Sequence, residues 1–197
     1  METKLKIITE LEQKPNGIHL REISRLVNSG LPNVKRFLEI LEKEKVVKKE
    51  KEANLVKFKL RDSQKTLAYL KQTNNEKFAL LPVRIQSVVL DFLNEIEIKP
   101  LLAIIFGSYA KGNYTKESDI DVILVFQKLE NVKDIENTAK RISMRTNTKI
   151  SPVYLEYKNF EKNFLDKNHD FSKEIRQKVI IINGIENYYQ LLWRFLA

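Results

Sequence analysis

Apolar residues recur at helical spacing through the first third of the chain and then switch to strand spacing. Leu5, Ile8 and Leu11 share a stripe and predict a helix from Thr3 to Gln13, closed by Pro15-Asn16-Gly17. Leu20, Ile23 and Val27 give a second helix, entered through Ile18 and His19 and ended by the turn Asn28-Ser29-Gly30. Pro32 suits the first turn of a third helix, 32–45, in which Val34, Phe37, Leu38 and Leu41 fall at i, i+3, i+4 and i+7. The period then becomes two. Val56, Phe58 and Leu60 alternate with Lys57, Lys59 and Arg61, so Val46–Lys51 and Leu55–Arg61 read as a hairpin turning at Glu52-Ala53-Asn54.

Asp62-Ser63-Gln64 marks a boundary. A short helix over 64–73 is predicted to stop at Thr73-Asn74-Asn75, and a longer one follows Pro82 with Ile85, Val88, Val89, Phe92 and Leu93 on one face. An apolar run within Leu101–Phe106 ends at Gly107-Ser108, and a second opens on Asp119-Ile120-Asp121; both read as buried strands. Between this pair and the end, Val132, Ile135, Ala139 and Ile142 predict a helix. Lys149–Tyr157 reads as a strand whose Pro152 belongs at an edge or bulge. Helices over 158–167 and 171–179, the apolar run Val179–Ile182 and an apolar helix from Tyr188 complete the chain. That last helix packs on the core or supports an oligomer. The reading is an α+β chain of three parts: residues 1–61, connecting helices over 62–98, and residues 99–197.

Composition narrows the class. With 43% hydrophobic residues, the 197-residue chain can bury packed cores. No apolar stretch approaches the ~20 residues of a membrane span, and the first residues lack the apolar segment of a secretory signal. There is no cysteine, which excludes disulfides and thiolate metal sites. The two histidines, His19 and His169, lie far apart and read as surface or capping residues. A cytoplasmic protein is expected. The net charge of +9 points to an acidic partner, and fifteen Lys/Arg against nine Asp/Glu within residues 1–61 place +6 of it at the N-terminal end.

In a strand, side chains alternate faces, so Asp119 and Asp121 point the same way. Two adjacent carboxylates repel unless a positive charge sits between them, and Mg²⁺ (or Mn²⁺) prefers carboxylate and phosphate oxygens. Gly107-Ser108, between a strand and a short helix, offers backbone N–H groups to a phosphate. Phe106-Gly107-Ser108-Tyr109-Ala110-Lys111-Gly112, followed by Ser118-Asp119-Ile120-Asp121, resembles the DNA polymerase beta superfamily of nucleotidyltransferases, and within it the minimal MNT type. The resemblance implies a mixed sheet flanked by helices. It also implies Asp119 and Asp121 as catalytic metal ligands, Gly107, Ser108, Lys111 and Ser118 around an NTP, and transfer of NMP to an acceptor. Active members carry a third carboxylate on the strand after the intervening helix. Here that strand reads Lys149-Ile-Ser-Pro-Val-Tyr-Leu-Glu156, with Ser151 at the acid's position and Glu156 near the strand's far end.

The order helix, helix, helix, basic hairpin resembles a winged helix-turn-helix of the MarR or ArsR kind, carried by Gly17–Leu26 and Leu38–Lys48. This implies that helix 32–45 enters a DNA major groove, with Ser29, Asn33, Lys35 and Arg36 toward the bases. Lys48, Lys49, Lys51 and Lys57 would then touch phosphates. A homodimer matching two half-sites is implied too. Three functions follow: a transcriptional regulator that binds Mg-nucleotide with weak or no catalysis, an active nucleotidyltransferase acting on a protein, RNA or small molecule, and an antitoxin paired with a HEPN-type toxin.

Overall fold

The structure is a computed structural model that describes residues 2–52 and 55–196, so the expected hairpin turn at Ala53-Asn54 lies outside the described residues. The chain divides after Glu76 into two compact units, the second running from Lys77 to Phe195.

The first unit opens with α1 (Thr3–Gln13), which buries Leu5, Ile7, Ile8 and Leu11. Ile18 and His19 form a two-residue strand, β1, where the sequence suggested only a lead-in to α2 (Leu20–Leu26). The reason is tertiary: β1 pairs antiparallel with β3 (Leu55–Leu60), Ile18 opposite Phe58, and no local pattern announces a partner forty residues away. Asn28, at φ 50, turns the chain into α3 (Leu31–Lys43), whose Val34, Leu38 and Leu41 are fully buried. β2 (Val47–Glu52) and β3 form the hairpin, giving a sheet of order β1-β3-β2. Phe58 is buried, but Val56 is 41% exposed, because β3 runs on past the point where β1 and the helices can cover it.

α4 (Gln64–Ala79) continues past the expected stop at Thr73-Asn74-Asn75. Thr73 and Asn74 are buried, and both side chains donate to the Leu70 carbonyl (3.0 and 2.9 Å). Their competing polar groups are thus satisfied inside the helix.

The second unit is a mixed sheet of order β6-β5-β4-β7. β4 (Leu102–Ile105) pairs antiparallel with both β5 (Ile120–Phe126) and β7 (Ile180–Asn183). β6 (Ile150–Glu156) returns parallel to β5 after the crossover helix α7 (Val132–Thr146). On one face, Ala103, Ile105, Val122 and Leu124 join Phe92 of α5 (Val83–Glu95) and Ile135, Ala139 and Ile142 of α7. Leu102, Ile104, Ile123 and Val125, of opposite parity, are also fully buried, with α8 (Tyr157–Leu165) packed against β5 and β6. Burial on both faces explains why these strands read as continuous apolar runs. Pro152 sits on edge strand β6, where the donor it lacks costs least. Phe160, Phe164, Tyr188 and Tyr189 tie α8 to α10 (Ile185–Leu196) through successive ring contacts. No helix among the described residues is long and apolar enough to cross a membrane.

Candidate active site

The ends of β4 and β5 build the site. Phe106 N–H donates to the Asp121 carbonyl (3.1 Å), fastening the end of one strand to the start of the other. The chain then turns at Gly107, φ +66, into the five-residue helix α6 (Gly107–Lys111). A Cβ at Gly107 would overlap Oδ2 of Asp121, so the missing side chain is what lets this carboxylate rest on the bend. Asp121 has the parity of Ile123 and Val125, on the sheet face away from α5 and α7; Asp119, just before β5, is reached from that face by Ser151 and also lines a pocket with Glu136, Ala139 and Ser143 of α7.

Charge around the pair is mixed. Lys149 Nζ and Ser151 Oγ (3.2 Å) both donate to Oδ2 of Asp119. Ser151 lies directly opposite Asp121 in the parallel β5–β6 register. Lys111 Nζ pairs with Glu174 Oε1 of α9 (Asp170–Ile175) at 2.5 Å, and Phe171 of the same helix meets Phe106 edge to face. Burial raises the Asp121 pKa, and the neighbouring charges of Asp119 and Glu174 add to it; Lys149 and Lys111 oppose the shift.

Among the residues flagged by sequence, the structure seats Asp121 against Gly107 and leaves Asp119 near enough for its charge to act on Asp121. Ser118 Oγ accepts from Thr115 N–H (2.8 Å), ordering the turn before Asp119, and the Ser108 carbonyl accepts from Gly112 and Asn113 at the end of α6. Ser151 stands at the position the family resemblance assigns to a third acid. Glu156 is opposite Phe126 at the other end of β6, about 16 Å along the strand, and its Oε1 accepts from Leu129 N–H. Among the described residues no three of His, Cys, Asp and Glu gather into a metal-binding group. Two members of the site were not singled out by sequence. Lys149 could have been, since strand alternation puts it on the face of Ser151. Glu174 could not, because α9 reaches the site only through the fold.

The residues flagged in the first unit form two groups. Asn33 Nδ2 donates to Ser29 Oγ (2.9 Å), and Arg36 donates to Asn33 Oδ1 (3.2 Å) while lying over the Phe37 ring. Lys35 is exposed on the same helix. Three of the flagged hairpin lysines pair with acids: Lys48 with Glu50, Lys49 with Glu42, Lys57 with Glu52. His19 Nδ1 meets the Val56 carbonyl (3.0 Å), and His169 Nδ1 accepts from Ser172 N–H at the start of α9.

The profile described as polymerase beta, nucleotidyltransferase matches residues 90–183, which hold the whole four-stranded sheet. A Methanocaldococcus jannaschii protein named "Putative protein adenylyltransferase" is 33% identical over 75 residues, covering 36% of this chain and 75% of its own. A solved structure described as a toxin-antitoxin with AMP-PNP overlays 56% of this chain and 82% of its own, at 13% identity and a TM-score of 0.42. With that profile spanning the two strands that carry Gly107 and the aspartates, and a relative matched over three quarters of its length, the chain belongs to the polymerase beta nucleotidyltransferase family.

Proposed function

We propose that the second unit binds a magnesium nucleoside triphosphate at Asp119, Asp121 and the Gly107-Ser108 bend, and transfers its nucleoside monophosphate slowly to an acceptor hydroxyl. The single observation that carries this is the Asp121 carboxylate seated on Gly107 with Asp119 near enough for its charge to act on it. The donor set suits the cation: Mg²⁺ is commonly held by one or two carboxylates together with substrate phosphates. When bound, such an ion neutralises phosphate charge and orients the triphosphate.

The chain's own residues position the reaction. Asp119 and Asp121 would hold the ion at the start of β5, and Lys111 stands at the C-terminal end of α6 with its ammonium braced by Glu174. In the transfer, the acceptor oxygen bonds to the α-phosphorus, the bond from that phosphorus to the bridging oxygen breaks, and pyrophosphate leaves. The acceptor's proton passes to solvent, because Ser151 stands where a carboxylate base would be and does not ionise near neutral pH. Slow turnover follows. The name of the Methanocaldococcus relative supports a protein as acceptor and an adenylyl group as cargo.

The test is incubation of α-labelled NTPs and Mg²⁺ or Mn²⁺ with the chain and a cell extract. A labelled band that Asp119→Asn/Asp121→Asn abolishes is expected, and its identity separates a toxin-like partner from other acceptors. Equal labelling by the double variant would remove this reading.

A second reading concerns the first unit, whose element order and linked Ser29, Asn33 and Arg36 support a winged helix-turn-helix that docks α3 in a DNA groove. Since Lys48, Lys49 and Lys57 are paired with glutamates, α3 would carry more of the contact than the wing. Asn33→Ala and Arg36→Ala should then weaken binding of a cognate duplex more than Lys48→Ala or Lys49→Ala, read by fluorescence anisotropy. Absence of any DNA affinity at low salt would dispose of it.

A further inference from the structure

The residues at the aspartate pair fit one divalent cation and do not fit a second. A single cation at Asp119 and Asp121 would have two carboxylates and the triphosphate to hold it. A second would have to lie on the β6 side of the pair, where the register sets Ser151 opposite Asp121. That position offers a neutral hydroxyl, and the hydroxyl already donates to Asp119 Oδ2. The same oxygen accepts from the Lys149 ammonium, so the space on that side already holds a positive charge. Glu156, the remaining acid of β6, is spent on Leu129 N–H at the strand's other end. Glu174, whose charge reaches Asp121, is paired with Lys111, and among the described residues no three of His, Cys, Asp and Glu form a metal-holding group.

We infer that this site takes a single divalent cation per bound nucleotide, and that the Lys149 ammonium supplies on the β6 side the positive charge a second cation would bring. The inference rests on the nucleotide reading above. It makes Lys149 a nucleotide-binding residue: its ammonium lies at the acid that faces the triphosphate, and two-thirds of its side chain remains exposed to meet a phosphate oxygen. A lysine acts here as a compact, mobile point charge, which a hydroxyl or amide cannot replace.

The experiment counts Mn²⁺ bound to the full chain loaded with α,β-methylene ATP, by electron paramagnetic resonance, with the analogue's affinity read by calorimetry. One ion per nucleotide-loaded chain is expected in the native protein. Ser151→Asp should raise the count to two, since it restores a carboxylate beside Asp121. Lys149→Gln should leave the count at one and weaken the analogue about tenfold, while Lys149→Arg should keep most of the affinity. Circular dichroism confirms that each variant is folded. Two ions in the native protein, or unchanged affinity in Lys149→Gln, would overturn the inference while leaving the nucleotide reading intact. Failure to bind the Mn²⁺ analogue, or binding indifferent to Asp119→Asn/Asp121→Asn, would overturn the nucleotide reading and this inference with it.

Discussion

Gly107 carries two constraints at one atom. Its φ of +66 is a conformation that costs other residues roughly 1 kcal/mol or more, and its Cα is the floor on which Asp121 Oδ2 rests. Gly107→Ala is therefore expected to lower the unfolding temperature by several degrees and to abolish nucleotide binding, the first read by calorimetry and the second by titration. Asp121 offers the opposite case. Its folded pKa is raised above the ordinary 3.8 by burial and by Asp119 and Glu174. The folded chain thus holds this proton more tightly than the unfolded chain, so stability falls as pH climbs from 3.8 through the folded value. Asp121→Asn removes that penalty. It should raise the melting temperature at neutral pH by a degree or more while erasing metal-nucleotide binding, and a lower melting temperature would show that the carboxylate is structural instead. Local sequence was enough to find Gly107, Asp119 and Asp121, because a glycine bend and a period-two pair are short-range patterns. It could not find Glu174, whose place depends on how α9 packs.

The elements are held as much by their ends as by their faces. α5 shows this: beyond its last turn, Lys99 Nζ donates to the carbonyls of Leu93, Asn94 and Ile96 (3.0, 2.8 and 2.8 Å). Backbone acceptors left open by the helix are thereby satisfied by a cation at its negative end. Lys99→Met should cost about 1 kcal/mol of stability, measured by urea denaturation. In the β2–β3 hairpin, Glu50 lies between Lys48 and Lys59, whose hydrogen bonds lower its pKa from 4.5 to about 2. A depressed carboxylate stabilises the fold above pH 4.5, and that contribution fades as pH falls toward 2. The hairpin amides should accordingly lose hydrogen-exchange protection between pH 4.5 and 2.5. Because these pairs are solvent-exposed the effect should be small and should shrink further in high salt.

At the scale of the molecule, a ligand that binds only the folded second unit should stabilise that unit alone. At a hundredfold excess over its Kd the gain is about 2.7 kcal/mol. Added Mg²⁺ and nucleotide should slow amide exchange across Lys77–Phe195 and leave the amides before Glu76 unchanged, with no effect in Asp119→Asn/Asp121→Asn. Protection spread evenly over both units would instead mean that nucleotide is sensed by the whole chain. The helices α1, α3, α5 and α7 and the strands β4 and β5 were legible in the sequence, because amphipathic spacing and buried apolar runs are local consequences of where side chains must point. The pairing of β1 with β3, the continuation of α4 past Thr73 and the meeting of Lys149 and Ser151 on one oxygen of Asp119 were decided only by the tertiary structure. Each depends on a partner or a burial that the local pattern does not carry: a strand needs another strand, a buried threonine needs a carbonyl, and an acid's neighbours are set by which strand lies beside it.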